Sequence, residues 1–410
     1  MKILLVNKFY YRRGGDCIYT INLEELLKAH GHEVAVFAMQ HPENLPNRWS
    51  RFWPSKIEIR SSSNIMETLV RPFGSREVKR KFREIVEAFR PDVVHANIIH
   101  THLSPVIMEI AKASGIRTVW TMHEYKLLCP RYVCLRNGEV CELCFKHGGS
   151  QRWRDLLHCI GHKCMKGSVA YSLVGYMEAL HWSTSRLRDM TDVFVCPSRF
   201  MADIMVRGGF PESKMKVIPH YIDTEKCNGI TYEKDDYYCY FGRLSEEKGL
   251  RTLIRAANKI PGHRLVVVGD GPMRSELENM AKGHIRFIGT MGRDGLKPIV
   301  GRARFTVVPS EWYEVGPLTA MESLCLGTPV LGARIGNIPS LIDEPTTGLT
   351  FESGNTDDLE SKIRRMFEAD FDYGKIAFHS RGKYDAETYY HRIMDIYVPI
   401  NHTLSTMQEP

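Results

Sequence analysis

Two glutamates, Glu314 and Glu322, flank the turn Val315-Gly316-Pro317-Leu318 in PSEWYEVGPLTAMESLCLGTPVL, just after the apolar run Phe305 to Val308. A carboxylate can accept hydrogen bonds from paired hydroxyl groups. Pro317 suits the first turn of a helix, where an N–H would have no partner, and Val315, Gly316 and Leu318 can turn their N–H groups toward an anion. Upstream, GRLSEEKGL carries Arg243 and Lys248, a planar fork and a mobile point charge that suit a diphosphate better than a carboxylate. The plainer reading pairs these cations with Glu246 and Glu247, sets Glu314 at a helix dipole and leaves Glu322 on a solvated helix face. Three further places could meet a ligand: Gly14 and Gly15 in YRRGGDCIY, Gly271 in GDGPMRSELE, and His123 in TMHEYK at a strand end.

The elements that must position these residues alternate. ILLV, EVAVFA, DVVHA, RTVWTM and DVFVCP are short apolar runs of the kind buried on both faces of a sheet, and helix patterns such as INLEELLKAHG lie between them. The rhythm restarts at YYCYFGRL, LVVVGDGP, IRFIGT, FTVVPS and PVLGA. Two such series predict an α/β chain of two Rossmann-like, doubly wound parallel-sheet domains with a cleft between them, the ligand turns falling at the carboxyl ends of the strands. The expected domains are residues 1–211 with a Cys-rich insertion at about 129–166, residues 212–384, and a C-terminal helix in 385–410 that packs back on the first domain. His95 in DVVHAN reads as a packing residue.

A chain of 410 residues with 43% hydrophobic and 25% charged residues is an ordinary globular protein of two domains. Its formal charge of +7 suits an anionic ligand or surface and is too mild to indicate nucleic acid. No run of about 18 apolar residues occurs, and MKILLVNKFY reads as a strand rather than a secretory leader, so a cytoplasmic location is expected. GDGPMR lacks the GxGxxG spacing and no GxxxxGK[ST] occurs, which argues against hydride transfer and phosphoryl transfer from ATP.

The glutamate pair resembles the E-x7-E motif of the family 4 retaining glycosyltransferases, which have the two-domain GT-B fold. The likeness extends over nearly the whole chain through YYRRGGDCIYTINLEELLKAHGHEVAVFA, PDVVHAN, TVWTMHEYKLLCP, VFVCPSRFMADIM, MKVIPHYIDTEKC, YFGRLSEEKGL, LVVVGDGPMRSELE and IRFIGTMGRDGL, in the family's order. It implies transfer, with retention, of a sugar from a nucleotide diphosphate sugar to a hydroxyl of a glycan or lipid-linked acceptor, in polysaccharide or glycoconjugate assembly. It implies catalytic roles for His123, Arg243, Lys248 and Glu314, and donor binding by Gly14, Gly15, Gly271, Val315, Gly316, Pro317, Leu318 and Glu322. No catalytic metal is implied, because fixed positive groups take its place. A nucleotide-sugar 2-epimerase on the same fold and a zinc-dependent nucleic-acid-binding protein are the alternatives; the second leaves the glutamates unexplained. Nothing in the sequence brings the two carboxylates across a sugar as a glycoside hydrolase needs.

Cys129, Cys134, Cys141, Cys144, Cys159 and Cys164 crowd one segment beside His147, His158 and His162. Two readings stand: a structural zinc site built on the CELC pair, or reduced thiols packed in an insertion. RPFGSREVKRKFREIVEAFRP is rich in cations and carries Val78, Phe82, Ile85 and Phe89 at helical spacing. That stripe either packs in the core or docks the protein peripherally on anionic lipid at the inner face of a membrane.

Overall fold

Runs such as Ile3 to Val6 have no polar side to offer water, and each forms a strand covered on both faces. The computed structural model describes the chain except for residues 58–69, 225–226, 228, 230 and 399–410. Glu225 and Lys226 of the motif MKVIPHYIDTEKC, and the end of the expected C-terminal segment, therefore lie outside the described residues. In chain order the strands are β1 (Lys2–Val6), β2 (Glu33–Phe37), β3 (Val93–Ala96), β4 (Arg117–Thr121), the hairpin β5 (Leu135–Arg136) and β6 (Glu139–Val140), β7 (Val193–Cys196) and β8 (Met215–Val217). They continue with β9 (Tyr237–Phe241), β10 (Arg264–Val268), β11 (Ile285–Gly289), β12 (Thr306–Val308), β13 (Val330–Ala333) and β14 (Gly348–Phe351). Two parallel six-stranded sheets result, β2-β1-β3-β4-β7-β8 and β11-β10-β9-β12-β13-β14.

Each sheet has its own compact unit. The first comprises residues 1–134, 141–218 and the described part of 390–410; the second comprises 135–140 and 219–389. The division falls between Ile218 and Pro219, beyond the Gly- and Pro-rich turn at 207–216 where the sequence suggests it. Met215 to Val217 causes the difference, because it pairs with β7 in the first sheet, Met215 opposite Phe194. This strand is only three residues long with a lysine at its centre, and it leaves no apolar run to read.

The helix Ala386–Tyr397 returns the chain to the first unit. Its Tyr397 hydroxyl lies 2.5 Å from His95 Nδ1, and the Arg117 guanidinium donates to the Ile396 carbonyl at 3.2 Å. His95 is fully buried, with Nε2 2.7 Å from Thr121 Oγ1, and burial pushes its pKa down to about 3. It is a neutral tether in the core.

The helix Arg76–Phe89 starts where the Ser75 hydroxyl accepts from the Val78 N–H. Val78, Phe82, Ile85 and Phe89 are all buried, and Phe82 meets Phe37 edge-on at 5.2 Å. The stripe is core, so it offers no apolar face to a membrane. Phe82→Ala should destabilise the protein by about 3–5 kcal/mol in chemical denaturation. A change near zero would return the stripe to the surface.

Candidate active site at the carboxyl edge of the second sheet

Parallel strands end on the same side, so the loops after β9, β10, β12 and β13 crowd together. Their closeness dictates glycine at two positions. Gly249 has φ +67°, and a Cβ there would lie 1.9 Å from the Pro309 carbonyl oxygen. A Cβ at Gly271 would lie 2.3 Å from the Leu244 oxygen, in a pair of loops already joined by the Leu244 N–H donating to Asp270 at 2.9 Å. Loop packing by itself requires a glycine at 271.

The join between the β9 and β12 loops brings Lys248 to Glu314, with Nζ 2.6 Å from Oε1. Ser310 Oγ donates to the same oxygen at 2.7 Å, and the Lys248 ammonium lies 5.3 Å from the centre of the Trp312 ring. Glu314 is 6% exposed. Burial works against its charge but is outweighed by the ammonium and by hydrogen bonds from Lys248 and Ser310, so its pKa lies below the usual carboxylate value. One donor of the Lys248 ammonium is committed to Glu314, and an ammonium has three. Glu246 and Glu247, the partners that the plainer reading gave Lys248, bond elsewhere: Glu246 to Arg251 and Glu247 to Ser245.

The helix Leu318–Cys325 begins two residues past Gly316, with Pro317 as its N-cap rather than its first helical residue. Ala320 and Met321 return their N–H groups to the Pro317 oxygen. Among the described residues, the N–H groups of Val315, Gly316, Leu318 and Thr319 have no acceptor. They form the donor-rich end that an anionic oxygen fits. The Arg243 side chain is exposed, with no hydrogen bond or ion pair among the described residues; its carbonyl accepts from the Tyr240 hydroxyl at 2.8 Å and the Ser245 N–H at 3.2 Å. Glu322 sits one turn along the helix, half-buried, and its charge adds to burial in raising the Cys325 thiol. The structure thus joins Lys248 to Glu314 directly and leaves Arg243 and Glu322 each to its own surroundings.

The corresponding edge of the first sheet carries His123. Its Nε2 lies 2.9 Å from Asn97 Oδ1, its ring meets Tyr19 edge-on at 4.8 Å, and burial lowers its pKa to about 3. It is neutral at physiological pH. Gly14 is the N-cap of the helix Gly15–Ala29 in an extended conformation, and Asp16 in the first turn puts a carboxylate at this helix end. Asn97 and Glu124 were not singled out from sequence. Asn97 is 1% exposed, and its Nδ2 has no partner among the described residues. Burial raises the Glu124 carboxyl to about 7, helped by Asp16 and Glu178 and opposed by Lys8 and Lys126. Its place directly after His123 at a strand end was the available signal.

All eleven cysteines are free. Cys129 exchanges hydrogen bonds with Cys134 and Cys144, as does Cys159 with Cys164. Among the described residues no group of three or more His, Cys, Asp or Glu side chains is arranged to hold a metal ion.

Comparison with known proteins gives the class. The chain belongs to glycosyltransferase family 4, whose model matches residues 13–226, and residues 223–377 match the model of the glycosyl transferases group 1. A sulfoquinovosyl transferase of Arabidopsis thaliana is 28% identical over 225 residues, half of this chain but only 44% of that protein. An uncharacterized 42.6 kDa protein from the cps region of Klebsiella pneumoniae is 24% identical over 83% of this chain and 87% of its own. Among solved structures, sucrose-phosphate synthase from Thermosynechococcus elongatus superposes with a TM-score of 0.66 at 16% identity, covering 97% of this chain and 98% of that one. The Anabaena protein HepE in complex with UDP-glucose gives 0.62 at 16% identity, covering 96% and 98%. These likenesses establish the GT-B architecture.

Lys248→Ala strands Glu314 with Ser310 alone and should cost about 2 kcal/mol, less than a fully buried pair because Lys248 is partly exposed. A depressed carboxyl pKa supplies stability above its unfolded value that is lost as pH falls through the folded value. Denaturation at several pH values should therefore show the wild type losing this contribution as the pH falls below about 4.5, and the gap between wild type and variant closing over the same range, because the variant's buried Glu314 has no ammonium to hold its pKa down. For Glu124 the sign is opposite. A carboxyl raised to about 7 stabilises the fold below its ordinary value of 4.5, and that contribution disappears as pH rises through 7. Glu124→Gln should flatten the decline between those limits by on the order of 1 kcal/mol; parallel curves for variant and wild type would refute the shift.

Proposed function

We propose that this protein is a retaining glycosyltransferase that moves a sugar from a nucleotide diphosphate sugar to a hydroxyl of a glycan or lipid-linked acceptor, in polysaccharide or glycoconjugate assembly. The observation that carries the reading is the Lys248–Glu314 contact of 2.6 Å beside a helix start with unpartnered N–H groups. Anion donors and a hydroxyl acceptor then lie next to one another on one sheet edge. HepE, which shares the fold, has been crystallised with UDP and with UDP-glucose.

On this reading Arg243, the free donors of Lys248, and the N–H groups of Val315, Gly316 and Leu318 hold the pyrophosphate. Their fixed charge stabilises the negative charge that builds on the leaving group, in the role a divalent metal would otherwise take. Glu314, kept ionised by Lys248, accepts hydrogen bonds from the sugar hydroxyls, and Glu322 accepts them from the ribose. His123, neutral, serves as a hydrogen-bonding group rather than as a charge. Gly14 and Gly15 leave room for the acceptor or diphosphate beside them. The acceptor hydroxyl attacks the face from which the nucleotide leaves, giving retention.

Arg243 is the cleanest probe, because its side chain is exposed and holds nothing else in place. Titration calorimetry with UDP-, GDP- and ADP-sugars should find one nucleotide series that binds, and Arg243→Ala should weaken it about tenfold or more, as expected for loss of a charge-assisted hydrogen bond. Undiminished affinity in a folded Arg243→Ala protein would remove the diphosphate from this edge. Conversion of the donor alone to its C2 epimer would replace transfer with epimerisation.

A further inference from the structure

Six of the fifteen large hydrophobic residues described as exposed fall between positions 153 and 177: Trp153, Leu157, Val169, Tyr171, Leu173 and Met177. Trp153 and Val169 are 53% and 50% exposed, values that a core residue never shows. Three short helices carry the group: Arg152–Asp155, Leu157–Gly161 and Val169–His181. Val169, Leu173 and Met177 recur every fourth residue and so form one stripe along the last helix.

The opposite sides of these helices are accounted for. Leu156 and Cys159 are buried with Cys144 in a small cluster against which Met165, Tyr176, Ala179 and Leu180 pack, and the Met165 N–H donates to Ser172 Oγ at 3.0 Å. Glu178 forms a buried ion pair with Lys126 at 2.8 Å, which fixes the long helix on the first unit. The exposed stripe is thus the outer face of an anchored element.

Charge says what would cover it. Lys146, Arg154, Lys163 and Lys166 are exposed around the apolar residues. Between positions 143 and 177 the sole acid is Asp155, which is buried and bonded to His147 at 2.8 Å. Two of the cations lie over exposed rings, Arg154 5.3 Å from the Trp153 centre and Lys166 4.7 Å from that of Tyr171. Aromatic and aliphatic side chains rimmed by cations match the boundary between headgroups and acyl chains of an anionic bilayer. A twofold contact between copies would set the same cations against one another. We infer that the outer face of residues 153–177 docks the protein on an anionic lipid surface. The site is separate from the helix Arg76–Phe89, whose apolar stripe is buried.

The test is co-sedimentation of the full chain with vesicles of phosphatidylcholine alone or with about one-third phosphatidylglycerol, since each near-surface cation should raise partitioning about fivefold. Wild type should bind the anionic vesicles, bind phosphatidylcholine at least tenfold more weakly, and release as salt is raised. Leu173→Asp with Met177→Asp, exposed positions whose change leaves the core intact, should lower partitioning about tenfold or more. Circular dichroism and thermal melting check that the variant folds. Wild type that stays in the supernatant, a variant that binds as wild type does, or sedimentation velocity showing that the two aspartates dissolve a dimer would each overturn the inference.

Discussion

Glu314 is an ionised carboxylate with almost no access to water, a state tolerable only because an ammonium meets it. Removing a lone carboxylate from water costs several kcal/mol, and Lys248 with Ser310 offsets that cost through hydrogen bonds to a single oxygen. The contact requires the β9 and β12 loops to touch. They can do so because Gly249 has no Cβ to strike Pro309. Backbone, charge and packing are therefore coupled at this edge: a side chain at 249 would part the loops, and parting them would leave the carboxylate stranded.

The pair also shapes the chemistry open to the site. A lysine bound to a glutamate is less of a free cation than its sequence suggests, so the net positive field there comes from Arg243 and from the helix end at Leu318. Glu314 in turn is held ionised and in one orientation, as an acceptor for hydroxyls must be. At the edge of the first sheet the balance is reversed. Burial leaves His123 neutral and brings Glu124 close to half-protonated at neutral pH. The two edges thus carry different protonation behaviour: one is charged and fixed, the other near neutrality and responsive to pH.

Much of the fold was legible because strands buried on both faces must be apolar throughout. β1 to β4, β7, β9 to β13 and the helices between them follow from that rule. β8 and β14 did not, since Met215 to Val217 and Gly348 to Phe351 are short edge strands fixed by pairing rather than by pattern. Of the site, Lys248, Glu314 and the turn at 315–318 were legible as types suited to an anion and a sugar. That Lys248 and Glu314 bond to each other, and that Gly271 serves loop packing, were not. Those facts depend on which strands are neighbours, and residues 248 and 314 meet only because β9 lies beside β12.

Two amphipathic helices mark the division most clearly. Val78, Phe82, Ile85 and Phe89 lie on a helix dense in cations and read as a candidate membrane face, yet all four are core. Val169, Leu173 and Met177 sit in a largely apolar helix that invites burial, and they face water. Sequence by itself determined that the chain alternates strand and helix in two series, and which side-chain types stand at the strand ends, because local periodicity and residue chemistry suffice for both. Tertiary structure alone decided which apolar stripe is covered and which acid finds a cation, because burial and charge pairing are set by residues distant in the chain.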